Sequence, residues 1–209
     1  MKILIMAPGR CGSSMLAEAV SHKLKLNYVS EPFNNDLYDK ISFDYKNVSD
    51  NTLVKCILGE TAIPAGYAQN AGYAQNIESA IEFFTEFAQQ FDKTFLLVRD
   101  DFAERLFSVL HAHQYGTWSG KYKRQEIKLD DPRHDAHIDY FMKTNIIIHA
   151  LWKNKYTILQ YLNLYNEDKE VSRKEWTKIV GPELPGYFES IYENWLNPKN
   201  RKKIENVKI

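Results

Sequence analysis

The chain has 209 residues, 27 of them basic and 27 acidic, with a formal net charge of +0. At 44% hydrophobic and 26% charged residues, the composition excludes wholesale disorder, and the length suits one domain, 1–209, with a sizeable core. Zero net charge argues against broad nucleic-acid binding, which draws on a positive field, and two cysteines are too few for a disulfide framework or a four-ligand zinc site. No apolar run reaches the length of a membrane span, and Ile3–Ala7 is too short for a signal-peptide core. The expectation is a soluble, cytoplasmic protein without a membrane span.

Lys2 to Ala7 is an almost continuous apolar run closed by Pro8-Gly9, and it reads as a buried strand central in a parallel sheet. After the loop 8–14 comes a helix with Leu16, Ala19, Val20 and Leu24 on one face. Asn27–Ser30, Leu53–Leu58 and Lys93–Val98 are three further strand candidates. Between the last two lies an identical tandem repeat, AGYAQN at 65–70 and 71–76, inside an expected flexible loop 59–76. Two copies are too few for a solenoid, so the repeat is either a slipped duplication in a surface loop or a lid whose Tyr67 and Tyr73 line an acceptor pocket. Asn76 is placed to cap a helix with Ile77, Ala80, Ile81, Phe84 and Ala88 inside. Asp101-x-x-Glu104 predicts another helix start, with Phe102, Leu106, Val109 and His113 sharing a face. A polar loop is expected over 116–136, a long helical segment from Asp139 to Leu164, and a helix opened by Ser172-x-x-Glu175 with Trp176 and Ile179 inside. Pro182 and Pro185 interrupt the chain before a last helix with Phe188, Ile191 and Trp195 inside, which stops at Asn197-Pro198. A basic tail covers 198–209. Strands alternating with helices at this spacing predict an α/β fold: three α/β/α layers around a central parallel sheet.

The strongest chemical signal is the sequence strand, Gly9-Arg10-Cys11-Gly12-Ser13-Ser14, helix. Glycines let backbone N–H groups converge, the helix adds its positive end, the serines add hydroxyls, and Arg10 adds a forked charge. Such a loop suits phosphate- or sulfate-like oxyanions. No lysine follows Gly12, so the Walker A pattern GxxxxGK[ST] is absent, and so is a dinucleotide GxGxxG.

Pro8 to Leu16, PGRCGSSML, resembles the 5′-phosphosulfate loop of the sulfotransferases that use PAPS (3′-phosphoadenosine 5′-phosphosulfate) as donor. The carbohydrate branch of that family carries Arg-Ser-Gly-Ser-[Ser/Thr], which Arg10-Cys11-Gly12-Ser13-Ser14 matches with Cys11 in place of the first serine. Tyr28-Val29-Ser30-Glu31-Pro32-Phe33 is similar to the family's second strand, which ends at an acidic residue. Leu97-Val98-Arg99-Asp100-Asp101 and Ser108 are similar to the pair that holds the nucleotide 3′-phosphate. The nine positions from Arg99 to Ser108, and His113 to Trp118 after them, resemble the bacterial trehalose-sulfotransferase branch. The likeness covers 2–35 and 94–118, and the Arg-Lys-Gly signature of the cytosolic members is absent.

The resemblance implies a P-loop-NTPase-like scaffold and transfer of a sulfuryl group from PAPS to a small-molecule or glycan hydroxyl, with no metal. It implies donor contacts from Gly9, Arg10, Cys11, Gly12, Ser13, Ser14, Met15, Arg99 and Ser108. Glu31 would be the general base and Arg10 a second catalytic residue near the sulfuryl oxygens. By position alone Glu31 is either a solvated glutamate before a turn or a group at the ligand-binding end of the sheet. Rival functions are a P-loop nucleotide kinase or other NTPase, and a nonenzymatic PAP- or anion-binding protein. The histidines, His111-x-His113 and His134-x-x-His137 among them, lack zinc-site spacing. Lys55 lies in a strand-like run and is assigned no role.

Overall fold

The computed structural model of the chain describes residues 1–33, 43–59, 77–116, 127, 130–182 and 187–198. Five strands, β1 (Lys2–Ala7), β2 (Asn27–Ser30), β3 (Thr52–Ile57), β4 (Lys93–Val98) and β5 (Thr157–Gln160), pair in parallel in the order β2-β3-β1-β4-β5. The helices are α1 (Ser13–Leu24), α2 (Ile77–Ala88), α3 (Phe102–Tyr115), α4 (Arg133–Trp152), the single turn α5 (Tyr161–Leu164), α6 (Lys169–Val180) and α7 (Tyr187–Ile191). A π-helical turn, Tyr192–Leu196, continues α7.

Strand side chains alternate between faces, and here both faces are apolar. Ile3, Ile5, Leu53, Phe95 and Leu97 form one core with Leu16 and Val20 of α1, Trp176 and Ile179 of α6, and Phe188 and Ile191 of α7. Leu4, Met6, Val54, Leu96 and Val98 form the other with Phe83, Phe84 and Phe87 of α2 and with Ile147 and Leu151 of α4. Helices therefore cover both faces of the sheet, giving the expected three α/β/α layers. Among the described residues, no helix is long and apolar enough to cross a membrane.

β1, β2 and β4 begin and end where the sequence predicts them, and β3 lies one residue earlier than expected. Asp101 caps α3 as expected, its Oδ1 accepting from the Glu104 N–H at 3.0 Å. Three expectations need correction. The segment 139–164 is not one helix: α4 starts at Arg133, within the expected loop, and ends at Trp152, and β5 and α5 follow. The break falls at Asn154, whose amide donates to Tyr156 Oη at 3.2 Å and Thr85 Oγ1 at 3.4 Å. β5 is four residues long with only Leu159 buried, so pairing with β4, not local pattern, makes it a strand.

α6 likewise opens at Lys169, capped by Asp168, whose Oδ1 accepts from the Glu170 N–H at 2.9 Å. Ser172 and Glu175 lie inside α6 and fasten it: the Ser172 hydroxyl donates to the Leu164 carbonyl at 2.6 Å, and the Glu175 carboxylate accepts from the Gln160 N–H at 2.6 Å. On α3, Phe102 is 54% exposed and Arg105 only 2%, so the inward face is rotated from the one predicted. Residues 60–76 of the expected flexible loop, with the repeat and Asn76, 117–126 and 128–129 of the expected polar loop, and the tail from 199 on lie outside the described residues.

Candidate functional site

The ends of β1, β2, β3 and β4 meet at one edge of the sheet, the carboxyl edge where open α/β folds bind ligands. β1 delivers the loop 8–12 to this edge. Arg10 and Gly12 both adopt the left-handed region, with φ of 66° and 67°. For Gly12 this is easy; for Arg10 it costs on the order of 1 kcal/mol and needs surrounding contacts to hold it. Those contacts are present. The Arg10 carbonyl accepts from Arg99 Nη1 at 3.1 Å, and Arg10 Nε donates to Ser108 Oγ at 2.9 Å. The Gly12 carbonyl accepts from the Tyr165 hydroxyl at 2.6 Å. The Cys11 thiol is buried and donates to the Gly9 carbonyl at 3.8 Å.

Gly12 is also the N-cap of α1 and offers no side-chain cap, and the first turn carries no acidic residue. The opening N–H groups of α1 and their positive end are therefore left without an acidic partner from that turn. Ser13 is buried, Met15 half-buried and Ser14 exposed at this opening.

Arg99, directly after β4, is 9% exposed. Its guanidinium lies 4.5 Å over the Tyr161 ring, and its Nε is buried with no hydrogen-bond partner. A buried guanidinium N–H without an acceptor is costly, so this group fits an incoming anion. The structure thus brings Arg10, Arg99 and Ser108, three of the residues picked out in the sequence, into one connected arm.

The second arm joins two residues picked out in the sequence, Ser14 and Glu31, through one that was assigned no role, Lys55. Lys55 of β3 points to the α1 face, like Leu53, and is 1% exposed. Its Nζ donates to Ser14 Oγ at 3.1 Å and forms an ion pair with the Glu31 carboxylate. Glu31 follows β2, has φ 49°, and donates its own N–H to the Lys55 carbonyl at 2.7 Å. Phe33, two residues on, sits edge-on to Phe83 and Phe87 with centroids 5.1 and 5.3 Å away, which fixes this strained segment to the core. Two of the four positive-φ residues outside glycine among the described residues, Arg10 and Glu31, are therefore in the site. Burial pushes the neighbouring Cys56 thiol upward, so it stays a neutral thiol and takes no part in this ion pair.

Arg105 is the other residue that sequence reasoning missed. It is buried, with its guanidinium 4.3 Å over Phe141 and a hydrogen bond to Asn145 Oδ1. Burial pulls its basicity down, and the nearby Cys11 opposes that shift. His111 is fully buried against Tyr115 and Phe107, and His113 stacks on His137.

No protein-family model matches the chain, and no curated protein matches it. The chemistry is therefore carried by the geometry: a loop with three cationic groups around it, Arg10, Lys55 and Arg99, and one carboxylate at its margin. This arrangement gathers hydrogen-bond donors and positive charge of the kind an oxyanion needs around one loop, with one carboxylate, paired to Lys55, beside them.

Proposed function

We propose that the chain is a PAPS-dependent sulfotransferase on a P-loop-like scaffold, acting on a carbohydrate hydroxyl in a reducing, cytoplasmic setting. One observation supports this most: Arg10, Arg99 and Ser108 form one hydrogen-bonded arm, while Ser14, Lys55 and Glu31 form another, and both converge on the same loop. Two buried free cysteines are in keeping with the setting.

The residues fit the donor nucleotide. Gly9 to Met15 would hold the 5′-phosphosulfate through backbone N–H groups and the hydroxyls of Ser13 and Ser14. Arg99 and Ser108 would take the 3′-phosphate, with the unpartnered Arg99 Nε supplying a donor. In the transfer, the acceptor oxygen forms a bond to sulfur as the bond from sulfur to the phosphate oxygen breaks. The electron pair stays on the phosphate, and the acceptor proton passes to Glu31. Arg10 offsets charge on the sulfuryl and leaving oxygens, and Lys55 holds the Glu31 carboxylate in place.

PAP, the product nucleotide, is expected to raise the melting temperature more than ADP or ATP at equal concentration, because it alone carries the 3′-phosphate for Arg99. Equal shifts for ATP and PAP, or a need for Mg²⁺, would sink the proposal. They would favour a second reading, a P-loop nucleotide kinase or other NTPase, for which Lys55 is the relevant observation: it brings an ammonium to Ser14 from a strand. PAP binding without turnover of labelled PAPS across an acceptor screen would leave a nonenzymatic nucleotide-binding protein.

Arg99→Ala is expected to weaken PAP binding about tenfold or more, the loss of a charge-assisted contact of about 1.5–3 kcal/mol. Adenosine 5′-phosphosulfate, which lacks the 3′-phosphate, should bind nearly as before. Calorimetry with both ligands checks this; equal weakening would mean that Arg99 only supports the Arg10 carbonyl.

A further inference from the structure

α4 buries one side in the core and leaves an apolar stripe on the other. Ile138, Met142, Ile146 and Trp152 are 39%, 56%, 52% and 42% exposed. At about 100° per residue these four fall within an arc of about 120°, over a length of about 21 Å. Isolated exposed apolar residues need no explanation, but four on one side of one helix form an apolar face suited to a contact.

The charges around the stripe suit one kind of partner. Asp135, His149 and Lys153 are exposed and share its arc. Asp135 lies nine residues before Thr144 and Lys153 nine after it, while Met142 lies two before and Ile146 two after. The pattern is acid, apolar, apolar, base, and it complements its own reverse. A second α4 laid antiparallel, with a twofold axis level with Thr144, sets Met142 against Ile146 and Asp135 against Lys153, twice over. A parallel partner would instead set each aspartate against its own copy. Phe102, 54% exposed and edge-on to Phe141 at 6.2 Å, widens the face beyond the single helix.

We propose that this face is a self-association surface through which two copies of the chain form an isologous dimer, α4 against α4 and antiparallel. Complementary ends fix the direction, and the apolar centre provides the drive. A specific dimer needs about 800 Å² from each partner, so one helix face with its margins makes a dimer that dissociates on dilution. The inference does not depend on what the sheet edge binds.

The test is sedimentation equilibrium of the full chain over a range of concentrations, with melting curves to confirm that each variant is folded. The wild-type mass is expected to rise from one chain toward two. Met142→Glu puts a carboxylate in the apolar centre and should weaken the dimer about 100-fold or abolish it. Asp135→Lys alone and Lys153→Asp alone each set like charges opposite at both ends and should weaken it about tenfold. The double variant, Asp135→Lys with Lys153→Asp, restores opposite charges and should return the dimer to near wild-type strength. A one-chain mass up to about 1 mM would overturn the proposal. So would a dimer indifferent to Met142→Glu, or single reversals that the double variant does not rescue.

Discussion

Glu31→Gln is expected to lower turnover by about 10²–10⁴-fold while PAP binding stays nearly unchanged. Glutamine keeps the shape of the side chain and an oxygen for the Lys55 ammonium, but it has no carboxylate to accept the acceptor's proton. The arm of Arg10, Arg99 and Ser108 does not pass through Glu31, and the one contact that does, Ser14 through Lys55, keeps an oxygen partner for the ammonium in glutamine. Rate and affinity therefore separate. Single-turnover transfer from labelled PAPS, run beside a PAP titration, measures both. Wild-type turnover in this variant would remove Glu31 from the chemistry, and a parallel loss of PAP affinity would make it a structural group.

The larger effect on stability is expected from Lys55→Met. The substitution leaves the Glu31 carboxylate, with a side chain only 12% exposed, beside a thioether and removes the donor to Ser14. Breaking a buried pair from one side costs about 3–5 kcal/mol, and the remaining exposure of Glu31 favours the lower end. For a chain of this size the melting temperature should fall by roughly 10 °C. Adding Glu31→Gln to Lys55→Met removes the stranded charge, so the double variant should be less unstable than the two single losses added together. Denaturant melts of all four proteins close the cycle. Additive losses would mean that Lys55 and Glu31 do not act as a pair.

The contrast between Arg99 and Lys55 marks the limit of reading along the chain. Arg99 ends a strand, and the end of a strand is a place that local pattern can find. Lys55 sits mid-strand, where the pattern says only that a polar residue interrupts apolar ones. Its meaning comes from Ser14 and Glu31, 41 and 24 residues away. Strands β1, β2 and β4 were found because both faces are apolar or because turn residues close them. β5 was missed because TILQ continues an apolar series that a helix would carry equally well, and only the neighbouring β4 decides. Ser172 and Glu175 misled for a related reason. A hydroxyl and a carboxylate three apart suit a helix start, yet the same groups satisfy backbone atoms of other elements from within α6. Arg105 was hidden because a buried arginine is rare, and nothing local shows that Phe141 and Asn145 receive it.

The loop at the end of β1 is completed by residues that lie far along the chain. β1 needs β3, fifty positions on, and β4, ninety positions on, before it has either neighbour. The Arg10 side chain waits for Ser108, 98 residues later, and the Gly12 carbonyl for Tyr165, 153 residues later. Each of these closures costs loop entropy before any contact rewards it, which places the fold among the slower ones. The full set of contacts around the loop therefore cannot form until the chain reaches Tyr165. A ligand that bound this loop would report that the strands from β1 to β4 and the turn carrying Tyr165 are all in place, and during refolding it would stabilise only the finished state.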